Sequence, residues 1–158
     1  MDKIRMRTNA GSINLRVTTK DDSPCELWND GKKIAELQSD NKENIAVQNK
    51  AEEIIIKGYD IQELGCQYNQ LTTLNASGCT SLQVLGCEYS PFTAEDLKKL
   101  FEDLPERKEK DGGVLLYKDG DSNYKDFTQP PELAAAFKAA KAKGWRLYKI
   151  NNDDLMEL

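Results

Sequence analysis

The chain contains no histidine. That one absence removes Ser-His-Asp and Cys-His nucleophilic catalysis, imidazole general bases and histidine-bearing zinc sites. Four cysteines stand at positions 25, 66, 79 and 87, and none falls in a C-x-x-C pair. The spacing therefore argues against a zinc or dithiol redox motif. Cys25, Cys66, Cys79 and Cys87 read best as buried thiols acting as small hydrophobes. A Cys66–Cys87 disulfide and a reactive thiol are the alternatives. Asp119-Gly120-Asp121-Ser122-Asn123 opens like a calcium loop, D-x-D-x-N. Such a loop needs glycine sixth and glutamate twelfth, and Tyr124 and Pro130 stand there instead, so an acidic turn is expected. No G-x-S-x-G elbow, phosphate-binding loop or distinct carboxylate pair is present. The chain is expected to have no catalytic residues, no metal site and no cofactor.

The residues that remain for function are binding types in a repeating frame. Ile61, Leu64, Cys66, Asn69 and Leu71 are followed by Leu82, Leu85, Cys87, Ser90 and Phe92, each 21 residues after its counterpart. Gly65 and Gly86, and Tyr68 and Tyr89, keep the same offset. The pattern is L-x-x-L-x-L-x-x-N-x-L, with cysteine in the third apolar place. Residues two apart share one side of a strand, so Leu64 and Cys66 face a core. Asn69 sits where the chain turns out of the strand. Its amide can satisfy backbone groups that the turn leaves without partners. Ser90 is a shorter substitute. The flanking positions face outward, which nominates Glu63, Gln67, Tyr68, Glu88 and Tyr89 as a binding surface, with Gly65, Gly86 and Val84 between them. Tyrosine is favoured at protein interfaces.

On these motifs (Ile61 to Leu71, Leu74 to Cys79, Leu82 to Cys87) the chain resembles the short, cysteine-bearing leucine-rich repeats of bacterial surface proteins, broadly internalin-like. The resemblance implies an α/β leucine-rich-repeat-like solenoid with a parallel sheet, an N-terminal β cap and two longer C-terminal α/β repeats. It also implies a non-catalytic scaffold that binds a partner protein through its concave sheet face at a bacterial cell surface. The alternative is a glycan-binding module or small enzyme using Tyr68, Tyr89 and nearby carboxylates.

Composition bounds the partners. The chain has 158 residues and a net charge of −5. An acidic surface disfavours nucleic acid and anionic membranes as ligands. No apolar run reaches the roughly 18 residues of a membrane span, so no membrane insertion is expected. No signal peptide is legible after Met1; a chain starting there would be cytoplasmic, whereas the resemblance implies an extracellular or cell-surface setting. A monomer is expected.

The elements that must hold this surface are read along the chain. Residues 1–44 form the β cap layer and 45–158 the solenoid, within one compact unit. Ile13, Leu15 and Val17 alternate with polar residues as in a strand. Asn29-Asp30-Gly31 links two extended runs as a type I′ hairpin would. Ile45, Val47, Ile54 and Ile56 suggest an irregular first coil over 45–60. Thr93 can cap a helix that carries Leu97, Leu100 and Phe101 and stops before Pro105. A second helix carries Leu133, Ala136, Phe137 and Ala140 and ends at Gly144. Segments 64–66, 85–87, 114–117 and 145–148 should be parallel neighbours in that order.

Overall fold

The computed structural model describes residues 1–158. In chain order the elements are β1 (Asp2–Thr8), β2 (Ser12–Thr19), β3 (Cys25–Asn29), β4 (Lys32–Leu37), β5 (Asn41–Ala46), β6 (Ile54–Gly58), β7 (Ile61–Gly65), β8 (Leu71–Asn75), β9 (Val84–Gly86), α1 (Ala94–Glu102), β10 (Gly112–Lys118), α2 (Pro131–Ala142), β11 (Trp145–Asn151) and β12 (Asp154–Glu157). They build two layers around one apolar core. The first is an antiparallel sheet ordered β4-β3-β6-β1-β8, and the second a mixed sheet ordered β12-β11-β10-β9-β7-β2-β5. Past β8 the first layer continues as helices, with α1 against β8 and α2 against α1 and β11.

The alternation in the sequence explains which faces meet. Ile13, Leu15 and Val17 of β2 turn inward, and Ile4 and Met6 of β1 face them from the opposite sheet. The core runs on through Leu27, Ile56, Leu64, Leu74, Leu85, Val114 and Leu147 as one continuous cluster. The β3–β4 turn puts Asp30 at φ 55° and Gly31 at φ 72°, the two left-handed residues that a type I′ turn requires. Thr93 caps α1 in a reciprocal box with Asp96, satisfying amides that the first turn leaves free. At the other end of α1, Lys143 Nζ donates to the carbonyls of Phe101, Glu102 and Leu104. This binds the end of α2 to the end of α1. Gly144 has φ +102°, and a Cβ there would lie 2.4 Å from the Arg107 carbonyl oxygen, so this position admits only glycine.

The leucine-rich-repeat solenoid is not what forms. The chain is 43% strand and 13% helix, arranged as a β-sandwich-like pair of antiparallel and mixed sheets. Parallel pairing is confined to β7-β9, β9-β10 and β10-β11. Those four strands do lie side by side in the expected order. Two things overturn the rest. The return leg after β7 is itself a strand, β8, paired antiparallel with β1. And the N-terminal strands do not cap a stack that begins at residue 45. Instead β2 lies between β5 and β7, and β1 between β6 and β8. Residues 45–60 therefore form no first coil against residues 61–75. The physical reason is edge pairing. Strands β7 and β8 each present an open edge of backbone donors and acceptors, and the β1–β2 pair fills both edges at once.

Neither helix is long and apolar enough to cross a membrane.

Candidate functional site

Strands β7, β9 and β10 present the outer face of the mixed sheet on the side away from the core. Register fixes its rows. Glu63 lies beside Val84 and then Gly113; Gly65 lies beside Gly86 and then Leu115. Strand β2 closes the row on one side, with Arg16 opposite Gly65 and Thr18 opposite Glu63. Two glycines side by side make a floor of bare backbone. A Cβ at Gly65 would lie 3.1 Å from Gln67 Oε1, and one at Gly86 would lie 3.2 Å from Glu88 Oε1 and 3.6 Å from Gln67 Oε1. The ends of Gln67 and Glu88 thus fold back over the space that missing side chains leave. A depression of about 250 Å³ opens there, lined by Arg16, Asp40, Glu63, Gln67, Val84 and Glu88 among others. Val84 and Leu115 are shared with a second hollow of about 550 Å³ that reaches Tyr148 and Leu155.

The charges on this face are unequally matched. Arg16 is engaged by Asp40, with Nη2 to Oδ1 at 2.9 Å. Glu63 is exposed, and neither it nor Glu88 belongs to an ion pair. Glu88 is only 7% exposed, and its Oε1 has no hydrogen-bond partner. Burial pushes its carboxyl above the usual range; the Asp121 charge adds to this, while nearby backbone amides and Lys118 pull the other way. An enclosed carboxylate with one oxygen unbonded and no counter-charge is costly to keep ionised.

Tyr68 and Tyr89 stand at the ends of β7 and β9, in the turns and not on the strands. Their rings stack with centroids 4.3 Å apart and planes 16° from parallel. Both backbones are left-handed, at φ 63° and φ 55°, a conformation unusual for bulky residues. Tyr68 is 58% exposed and Tyr89 half-buried. Of the five residues nominated from sequence, the depression takes Glu63, Gln67 and Glu88. The tyrosine pair adjoins it along the chain through Gln67 and Glu88, without lining it.

The turns beneath are held by buried polar side chains. Asn69 Nδ2 donates to the carbonyls of Asn14 and Cys66, and its Oδ1 accepts from the Asn14 amide. Asp121 accepts from the amides of Tyr89, Lys118 and Asn123 and pairs with Lys125. The Asp119–Asn123 segment is thus a structural acidic turn, and no cluster of metal-ligating side chains occurs in the fold. All four cysteines are free and buried. Burial raises the thiol of Cys25 to about 11 and that of Cys79 to about 12, with the charge of Asp2 as the next cause for both; burial also pushes Cys66 and Cys87 up. Cys66 and Cys87 donate to the carbonyls of Gly86 and Leu115. Thiols with so little thiolate are poor nucleophiles.

Arg16 and Asp40 were not among the nominated residues. Arg16 is visible as an outward position in the β2 alternation. That it would lie beside Gly65 depends on β2 pairing with β7, which no local pattern announces.

Comparison with family models, with curated proteins and with solved structures finds no match to this chain.

Proposed function

We propose that this chain is a non-catalytic interaction module that holds a partner protein on the outer face of β7, β9 and β10. The observation that supports this most is the in-register pair Gly65 and Gly86. It opens a shallow depression on a rigid sheet and leaves the Glu88 carboxylate beside it without a counter-charge. Exposed apolar positions extend the same face, with Val84 37% and Leu155 59% exposed. A polar depression next to an apolar hollow has the mixed character of a protein interface. The cell-surface setting has only the repeat resemblance behind it, and the proposal rests on the face alone. The glycan-binding reading stands second, because Tyr68 and Tyr89 cover one ring face each by stacking on one another.

Photo-crosslinking tests the proposal. A benzoylphenylalanine at Val84 should trap a discrete partner in an extract of the source cells, and one at the exposed Lys138 on α2 should not. Gly65→Val should abolish the Val84 adduct while the protein stays folded, since the nearest atom to the new side chain is the movable end of Gln67. Equal trapping at both sites, or an adduct that survives Gly65→Val, would count against this face.

A further inference from the structure

We infer that the depression over Gly65 and Gly86 is a socket for a single basic side chain, a lysine in the first instance, presented by a partner protein. The inference rests on the binding-face reading above and names the chemistry that face recognises.

Three features converge on a cation with an aliphatic stem. The first is charge. Of the ionisable groups lining the depression, Arg16 and Asp40 satisfy one another. Glu63 and Glu88 are left, and neither has a cationic partner within the chain. The second is the enclosed acceptor. Glu88 Oε1 is buried and without a donor, and it lies at the lining of the depression. Buried polar atoms in folded proteins nearly always have a partner, and an incoming N–H would supply the missing one as a charge-assisted hydrogen bond. Gln67 Oε1 is close by, within 3.6 Å of the point where a Gly86 Cβ would stand. It offers a second acceptor to the same group.

The third feature is shape. The floor is glycine backbone, and Val84 and Leu115 contribute the apolar part of the lining. Lysine lays its methylene stem along apolar surface and delivers its ammonium at the tip. The volume of about 250 Å³ lies below the range of small-molecule pockets, roughly 300–1,000 Å³. It suits one side chain better than a free metabolite. The ammonium is a compact point charge whose donors need no planar, bidentate acceptor, as arginine's fork does. A nucleic acid or an anionic lipid would bring its charge to the wrong sign of surface.

The test is an amide NMR titration of the full chain with two probes. One is the acetylated, amidated peptide Gly-Ser-Lys-Ser-Gly; the other is the same peptide with its lysine ε-acetylated. The charged peptide should shift the amides of Gly65, Gly86 and Glu88 in a saturable way, and the acetylated peptide should bind at least ten-fold more weakly. Glu88→Gln and, separately, Glu63→Gln should each weaken the charged peptide several-fold. Glu63 is exposed, so its variant keeps the test valid if Glu88→Gln alters folding. Equal binding of both peptides, shifts that map elsewhere, or indifference to both substitutions would overturn the inference. If the crosslink at Val84 persists under any of those outcomes, the face binds a partner by other chemistry. If the crosslink is also lost, the binding-face reading fails with it.

Discussion

Asn69 leaves β7 with three hydrogen bonds, two to the backbone of β2 and one to its own strand end. Ser90 occupies the same place 21 residues later, and its buried Oγ makes none. The turn after β9 is held from outside instead. Asp121, carried by the loop after β10, takes the Tyr89 amide at 3.1 Å. Asn123 then donates Nδ2 to the Leu116 carbonyl of β10, as Asn69 donates to that of Cys66. Two turns with one sequence frame and a left-handed tyrosine each are thus stabilised by opposite routes. One reaches back toward the N-terminal strands, the other forward to the C-terminal ones. The difference shows that the repeat fixes geometry, while the hydrogen-bond partners come from whichever strand lies next in the sheet. Tyr68 and Tyr89 stay aligned because the turns also bond to each other, the Tyr68 amide donating to the Glu88 carbonyl at 3.0 Å.

Asp121→Ala should have the largest effect. It leaves the amides of Tyr89, Lys118 and Asn123 without their side-chain acceptor and removes the ion pair to Lys125. The expected cost is about 4 kcal/mol, a fall of roughly 10 °C in Tm. Thermal melts and loss of amide protection at Tyr89 and Lys118 would check it. A Tm within two degrees of wild type would show that the second turn holds itself. Next comes Asn69→Ala, with an expected cost of about 2–3 kcal/mol in denaturant unfolding. The effect should centre on the β2–β7 junction and leave the Asp121 turn protected against hydrogen exchange.

Much of this design is legible in the sequence. The β2 alternation, the Asp30-Gly31 turn, the Thr93 cap, the parallel order of β7, β9, β10 and β11, and the Asn69 role follow from local pattern. What is not legible is long-range edge choice. The apolar echo Ile45, Val47, Ile54 and Ile56 resembles a coil, yet Ile45 lies in one sheet and Ile54 and Ile56 in the other, because β1 and β2 insert ahead of them. Leu71-Thr72-Thr73-Leu74 carries β-branched residues that already point to a strand, but a short return leg gives no sign of its partner. The candidate site divides in the same way. Glu63, Gln67 and Glu88 are found from their outward register. The burial of Glu88 is not, since it depends on two glycines falling into register across strands.

Glu88→Gln comes third in size and sharpens the electrostatic side of the same turn. The folded-state carboxyl titrates above its ordinary value of 4.5. The folded chain therefore holds a proton more tightly than the unfolded one, and stability falls as pH rises through that raised value. Removing the charge should raise Tm by roughly 2–4 °C at pH 7, about 1 kcal/mol. The gain should vanish below about pH 4.5, where both states of the wild type are neutral. The smallest effect belongs to Ser90→Ala. With no hydrogen bond to lose, it should stay within about 0.5 kcal/mol of wild type. A cost like that of Asn69→Ala would show that Ser90 holds its turn after all.

On the proposed reading, Glu88 lies without a counter-charge on a face that receives a cation from a partner. The side-chain carboxyl resonance of Glu88, assigned by its loss in Glu88→Gln, reports this directly when titrated with pH in the full chain. Free protein should show Glu88 titrating above the usual glutamate range, and saturation with the lysine peptide should move its midpoint down. A midpoint already at or below the ordinary glutamate value in the free protein, or one that the peptide leaves unmoved, would contradict the account.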